Sequence, residues 1–274
     1  MSTELVKQTT GIKGLMANDV VVSKFKDILG KNANAFISSV TTIATTTRLS
    51  ECDPKSILSA AIAAASLNLQ VTPTLGFAAM VPYKGQAQFQ IMAKGLVQLS
   101  LRSGQFKTIN VTEIYEGELK SQDRLTGTFD FSGDKKSEKI VGYAAYFELI
   151  NGFAKSLYMT SEQITAHAKR FSKTFDFGGS SWKTNFEAMA RKTVLKLLLS
   201  RYAPLSVEMT SAITQDQAVI KTDDNMEITD FLYVDNVEHS DNAASQEPIV
   251  IDQDVKATRK TQVKESSPVL NMEG

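Results

Sequence analysis

Between Lys155 and Arg201 the chain carries nine cations (Lys155, Lys169, Arg170, Lys173, Lys183, Arg191, Lys192, Lys196 and Arg201) against three acids (Glu162, Asp176 and Glu187). Flat side chains are interleaved with them: Phe171, Phe175 and Phe177 beside Lys169, Arg170 and Lys173, and Trp182 next to Lys183. Upstream, Tyr83 and Phe89 lie on either side of a Lys84-Gly85 turn. Cations neutralise phosphates and aromatic faces stack on unpaired bases, so the combination suits a single-stranded nucleic acid. At least half of these aromatics are expected in the core instead. Lys192 and Lys196 stand four residues apart, off the edge of an apolar face made by Phe186, Ala190, Val194, Leu197 and Leu198. Like charges at that spacing repel unless something anionic lies across them.

Other chemistries lack their residues. A P-loop needs Gly-x-x-x-x-Gly-Lys-[Ser/Thr], because its backbone amides cradle phosphates while the lysine and hydroxyl reach them and the metal. Here Gly30-Lys31 continues to Asn32, with Phe25 where the first glycine belongs. There is no Gly-x-Ser-x-Gly elbow and no His-Glu-x-x-His. Of the two histidines, His167 falls in a basic helix as a surface or phosphate-adjacent residue, and His239 near the end of the chain. The single Cys52 makes no internal disulfide and, with two distant histidines, no zinc cage. Glu113, Glu116, Glu118 and Asp123 could hold magnesium for a nuclease; a solvated strand edge is the expected reading. No catalytic residue, metal or cofactor is expected, and the chain reads as a binding protein rather than an enzyme.

The formal net charge of zero is a cancellation. Counting to Ser206 gives 25 Lys+Arg against 16 Asp+Glu, a balance of +9, and residues 207–274 give 5 against 14, a balance of −9. A basic body with an acidic tail is the asymmetry of a polyanion binder whose tail meets other proteins or competes for the basic surface. Three parts are expected: a flexible arm over 1–18, a folded basic domain over 19–206 suited to a nucleic acid, and a largely disordered acidic tail over 207–274 with a sticky patch at 228–234. No apolar run approaches the roughly 20 residues that span a bilayer, and the polar first 18 residues lack a secretory core. The expected location is the cytoplasm, with no membrane partner.

The elements that must position the cations are legible from caps and periodicity. Helices are expected over 19–29 and 33–49, and Cys52-Asp53-Pro54 opens an alanine-rich helix over 55–67. Residues 77–81 and 86–91 flank Tyr83-Lys84-Gly85 as a hairpin, and a short helix follows over 93–102. Strands at 106–115, 140–150 and 154–159, the last two joined by Asn151-Gly152, imply a three-stranded antiparallel sheet. The polar stretch 116–139 reads as a long loop with a short ribbon near Phe129. Helices resume over 161–171 and 181–202, with Pro204 as a stop. The fold class is α+β.

Several ordered blocks then point to a family. Leu67-Asn68-Leu69-Gln70-Val71-Thr72-Pro73 leads to Leu75-Gly76 and Val81-Pro82-Tyr83, followed by Gln90-Ile91-Met92-Ala93-Lys94-Gly95-Leu96, Arg102-Ser103-Gly104-Gln105 and Tyr115-Glu116-Gly117-Glu118. Trp182, Met189-Ala190-Arg191-Lys192-Thr193 and Pro204-Leu205-Ser206 come later in the same order. From about Val20 to Ser206 the chain resembles the RecT family of phage single-strand annealing proteins. Where family members often read Gly-Tyr-Arg-Gly-Met, this chain has Met92-Ala93-Lys94-Gly95-Leu96; the lysine keeps the charge and loses the planar fork.

The resemblance implies ATP-independent pairing of complementary strands in phage recombination by an oligomeric ring or helical filament, with single-stranded DNA and the annealed duplex as ligands. It also implies a partner exonuclease and a host single-strand-binding protein. Charge and motif match together assign backbone contacts to Lys94, Arg102, Lys107, Lys169, Arg170, Lys173, Arg191, Lys192 and Lys196. Tyr83, Phe89 and Trp182 are the candidate stacking or wedge residues. The competing readings are a metal-dependent nuclease and a self-assembling structural protein.

Overall fold

The computed structural model describes residues 11–172, 175–176 and 178–233. A short α1 (Ile12–Met16) precedes α2 (Asp19–Leu29), whose first turn is capped by the Asn18 side chain accepting from Val20 N. Helix α3 (Ala33–Thr46) keeps its form through a threonine run because each hydroxyl bonds back within the helix: Thr41 to Ile37 O, Thr42 to Ser38 O, Thr45 to Thr41 O and Thr46 to Thr42 O. A 3₁₀ turn over Arg48–Glu51 takes the place of its expected last residues. Asp53 then caps α4 (Pro54–Ser66) by accepting from Lys55 N and Ser56 N, and every residue from Ser56 to Ala65 is buried. Small side chains all round α4 let neighbours close on every side, which makes it the centre of the core.

The hairpin β1 (Ala78–Tyr83) and β2 (Gln86–Ile91) turns at Lys84 (φ 47°) and Gly85 (φ 74°), the left-handed pair that a tight hairpin requires. It is tied to α4 through Asp53 N to Gly85 O at 2.8 Å and Ala87 N to Ser56 Oγ at 2.9 Å. Helix α5 (Ala93–Arg102) comes so close to the start of the hairpin that a Cβ at Gly95 would lie 2.1 Å from Phe77 O. The antiparallel sheet runs in the order β3 (Phe106–Tyr115), β6 (Ile140–Leu149), β7 (Ala154–Thr160). The intervening polar stretch carries a ribbon, β4 (Ser121–Asp123) with β5 (Thr128–Asp130), whose Phe129 packs with Phe131 on Tyr158. Helix α6 (Ser161–Phe171) opens with a capping box between Thr160 and Gln163.

The expected helix over 181–202 is two helices, α7 (Ser181–Thr184) and α8 (Phe186–Tyr202), broken at Asn185 (φ −151°, ψ 60°). The break lets Trp182 turn inward, where its ring packs between Phe175 and Phe186 at centroid distances of 6.1 and 5.9 Å.

Two expected boundaries move. Residues 11–18 are not an arm: Ile12 and Met16 are buried in the same core as α4. The chain past Ser206 is folded as far as Tyr233. Ser206 caps α9 (Val207–Gln215) by accepting from Met209 N, and β8 (Val219–Thr222) pairs with β9 (Ile228–Leu232). The reason is apolar content: Met209, Ala212, Ala218, Val219, Ile220 and Met226 are buried, and Ala218 bonds across to Phe89 of β2 at 3.0 Å. Of the −9 assigned to a tail, this folded stretch holds −5, with six acids (Glu208, Asp216, Asp223, Asp224, Glu227, Asp230) and Lys221. The expectations for 1–10 and 234–274 lie outside the described residues. Among the described residues, no helix is long and apolar enough to cross a membrane.

Candidate nucleic-acid interface

Helix α8 is where the expected cations concentrate, and they differ in what holds them. Lys192 is not on a solvated stripe: its side chain is 3 % exposed and its Nζ lies 2.7 Å from Asp216 Oδ1. Lys196, 27 % exposed, reaches the other oxygen of the same carboxylate at 2.7 Å. Asp216, 1 % exposed, also accepts from Ile91 N at 3.1 Å, so one carboxylate ties α8 to β2 and to the α9–β8 turn. Burial alone would push that carboxyl up, but the attraction and hydrogen bonds of the two lysines prevail and hold it below the usual carboxylate range. Lys192 is lowered from the ordinary lysine value, by burial first and then, despite Asp216, by its neighbour Lys196. Two ammoniums share one carboxylate, which leaves the cluster with surplus positive charge.

That surplus lies toward α6. His167 is half-buried with its ring 4.6 Å from Phe171, and its pKa is pushed down to about 4, first by burial and then by Lys196, Arg201 and Arg170. Arg170 and Arg201 are exposed and have no ion-pair partner among the described residues. Arg170 lies over the Phe171 ring at 5.2 Å and the neighbouring Lys169 reaches over Phe175 at 5.8 Å. Lys173 and Phe177 lie outside the described residues.

The remaining expected phosphate-binding residues divide by what already holds them. Arg102 donates to the carbonyls of Leu67 (2.7 Å) and Asn68 (2.8 Å), filling acceptors just past the end of α4. Lys107 pairs with Glu148 at 2.7 Å across β3 and β6, a hydrogen bond that raises its pKa. Arg191 is held by Glu113 and, at 3.6 Å, by Glu187. Lys94 is exposed in the first turn of α5, packed by its stem near Gly76, with no ion pair among the described residues. Of the candidate stacking residues, Phe89 is fully buried in β2 and Trp182 is buried among rings, so in this conformation neither face is open to a base. Tyr83 is half-buried at the hairpin tip with Lys84 Nζ 5.4 Å from its ring.

Asp216 and Arg201 carry the arrangement and were not among the residues expected to form the site. Arg201 was visible as one of the nine cations of the segment. Asp216 had no signal as a site residue, because its acidic context reads as solvated tail. The acids weighed as metal ligands are each taken up locally. Glu113 binds Arg191, Glu116 accepts from Ser137 (2.8 Å), Glu118 from Tyr115 N (2.7 Å) and Asp123 from Leu125 N and Thr126 Oγ1 (2.8 Å each). No group of three His, Cys, Asp or Glu side chains suited to a metal is found among the described residues.

Comparison with known proteins agrees with the residue blocks. The chain is 44% identical over 225 residues to an uncharacterized protein of Bacillus subtilis, YqaK, covering 81% of this chain and 77% of that one. It is 27% identical over 186 residues to the Escherichia coli protein RecT, covering 62% of this chain and 65% of that one. The sequence model of the RecT family matches residues 34–230, from the first turn of α3 into β9. On that match the chain belongs to the RecT family and, in general terms, to the recombination and strand-annealing proteins.

Proposed function

We propose that the protein binds single-stranded DNA along its backbone and anneals complementary strands without a nucleotide fuel, acting as an oligomer. The observation that carries this reading is the unbalanced charge left after the acidic stretch has folded back. Counted to Tyr233, 26 Lys+Arg still face 22 Asp+Glu. Among the cations that carry that surplus to solvent are the exposed Lys94, Lys169, Arg170 and Arg201 and the half-exposed Lys196.

The chemistry follows from what separates two complementary strands. Their phosphates repel, and folding within each strand hides base edges. A cationic surface lowers the repulsion and holds a strand extended by its backbone, leaving the bases outward. Pairing then gains roughly 1.4 kcal/mol of stacking per step, so the paired product forms without an external energy source. Oligomerisation would align successive stretches of one strand. A partner exonuclease would supply the single strand, a host single-strand-binding protein would hand it over, and the last residues of the chain are the proposed contact for both.

Sequential addition of two complementary labelled oligonucleotides, without ATP or any nucleotide, tests the reading. Duplex should form well above the protein-free rate and on strands of unrelated sequence alike. Strand cleavage in magnesium, or polymerisation that ignores DNA, would replace the reading by a nuclease or a structural protein.

A further inference from the structure

The ribbon of β4 and β5 turns at Arg124-Leu125-Thr126-Gly127, and Leu125 is 95 % exposed, more than any other large hydrophobic side chain among the described residues. The turn that carries it is fixed. Asp123 Oδ1 accepts from Leu125 N and its Oδ2 from Thr126 Oγ1, both at 2.8 Å, and Gly127 N donates to Asp123 O at 2.9 Å. From β7, Lys155 Nζ donates to Thr126 O at 2.6 Å, and the root of the ribbon is held by Phe129 and Phe131 on Tyr158. An apolar side chain presented on a pre-set turn loses little conformational freedom when a partner buries it. Beside it Arg124 is exposed and has no ion-pair partner among the described residues. Elsewhere on the protomer a groove of about 550 Å³ opens between α2, α4, α9 and β9, with Ile28, Ile62, Met226, Ile228 and Phe231 as its apolar lining. Gln215, 4 % exposed, also lines it; its Nε2 donates to Ser211 Oγ at 2.6 Å, while its Oε1 has no hydrogen-bond partner. A buried acceptor without a donor costs free energy, and an incoming donor removes that cost. The rim is acidic along the β8–β9 turn, where Asp223, Asp224 and Glu227 are exposed and Glu227 is paired with Lys24. Such a rim repels a nucleic acid and attracts a cation. A second copy of the chain brings what the groove lacks, an apolar tip with a free guanidinium next to it.

We propose that Leu125 of one protomer seats in the groove between α2, α4, α9 and β9 of the next, with Arg124 against the acidic β8–β9 turn, as a head-to-tail contact between copies of this chain. The proposal rests on the oligomeric part of the reading above and gives it a direction. Tip and groove are different surfaces, so every protomer added leaves one tip and one groove unfilled. The contact therefore repeats into a ring or a helical filament and does not stop at a dimer. Because both halves are built into the free protein, the contact forms without DNA.

Sedimentation velocity of the full chain at micromolar concentration, alone and with oligo(dT), reads the assembly. The parent alone should sediment as species larger than a dimer. Leu125→Asp puts a charge on the tip, and Ser66→Trp fills the groove from an exposed position on its lining. Each should sediment at the mass of one protomer, 30.0 kDa, and melt as the parent does, while Leu125→Met keeps the parent's size. An equimolar mixture of the two monomeric variants should give a dimer of one each and nothing larger, because only the tip of Ser66→Trp and the groove of Leu125→Asp remain intact. The proposal is overturned if either variant assembles as the parent does, if Leu125→Met falls to monomer, or if the mixture stays monomeric. A Leu125→Asp chain that keeps the parent's size but loses oligo(dT) affinity assigns the tip to DNA and overturns the contact as well. Should Ser66→Trp fail to fold, Leu125→Asp against Leu125→Met decides. A parent that is monomeric alone and assembles on oligo(dT) sinks only the contact; one that is monomeric in both conditions sinks the oligomeric reading itself.

Discussion

Among the cations of α8, Lys192 is buried against Asp216 and Arg191 is clasped by Glu113 and Glu187. Lys196, on the same face as Lys192, shares that carboxylate while 27 % exposed, and Arg201 is exposed with no ion-pair partner among the described residues. The same helix thus carries cations that hold the fold and cations left for a ligand. What separates them is the delivery of an acid by a distant part of the chain. Asp216 comes from the turn after α9 and Glu113 from β3, whereas Arg201, like Arg170 on α6, has no ion-pair partner among the described residues. A lysine in a basic stretch is a ligand group only if the fold leaves it uncompensated.

The comparison breaks most visibly if the stretch after Ser206 is dispensable. Removing it takes Met209, Val219, Ile220 and Met226 out of the core together with Asp216. Burial of side chains of that size is worth about 1.5–3 kcal/mol each, so the loss approaches the whole of a typical domain's stability. A chain ending at Ser206 should be unfolded or aggregated by circular dichroism, and one ending at Val237, where the compact unit ends, should melt as the full chain does. A cooperative melt from the shorter chain would mean that α8 does not need its acid.

A single atom-level version is Asp216→Ala. It leaves Lys192 buried without a counter-charge and Ile91 N without its acceptor, and breaking a buried pair in this way costs about 3–5 kcal/mol. Adding Lys192→Met should recover a large part of the loss in urea denaturation. The pH sign follows from the depressed carboxyl. Asp216 stabilises the fold fully above its unfolded value of about 3.9, and that contribution is lost as pH falls through the lower folded value. The parent should therefore show a steep acid transition below about pH 4 that Asp216→Ala lacks.

Why Asp216 escaped a reading of the sequence is physical. Caps, periodicity and turn residues are local, so α2, α4, the Lys84-Gly85 hairpin and the β3, β6, β7 sheet were all legible. Ion pairs are not local. Asp216 lies 20 and 24 residues from its lysines, Glu113 lies still further from Arg191, and Arg102 finds carbonyls more than thirty residues back. The break at Asn185 was equally hidden, because 181–202 is helix-compatible throughout and only the pull of Trp182 into a cluster of rings divides it. Charge composition over 207–233 suggested disorder, whereas the spaced Met209, Ala212, Val219 and Ile220 supply enough burial to fold it.

The uncompensated cations are tested by Arg170→Gln with Arg201→Gln. Neither guanidinium holds an acid among the described residues, so stability should change by no more than about 0.5 kcal/mol. Affinity for oligo(dT) should fall about tenfold or more. The log-log slope with salt should become shallower by about 1.4, from roughly 0.7 for each phosphate that is no longer neutralised. The paired control, Lys24→Gln with Lys221→Gln, removes the same charge from groups already bound to Glu227 and Asp230 and should leave the affinity within about twofold. Equal losses in both double variants would mean that overall charge, not its placement, attracts DNA.

The smallest effect is the most discriminating. Arg191 belongs to the residue block that resembles the family's motif, yet its guanidinium is held by Glu113 and Glu187, with the arginine side chain 37 % and Glu113 16 % exposed. If compensation silences a cation, Arg191→Gln should cost no more than about 1 kcal/mol of stability, as partly exposed pairs do, and should change oligo(dT) affinity by less than about twofold. A double-mutant cycle with Glu113→Gln should return a coupling of about 0.5 kcal/mol. The alternative outcome has a distinct signature: an affinity loss matching the α6–α8 pair, a salt slope reduced by roughly 0.7, and affinity raised above the parent's in Glu113→Gln alone. That pattern would show Glu113 holding Arg191 in reserve for a phosphate, and the division between compensated and uncompensated cations would then be one of degree of restraint rather than of structural and ligand-binding groups.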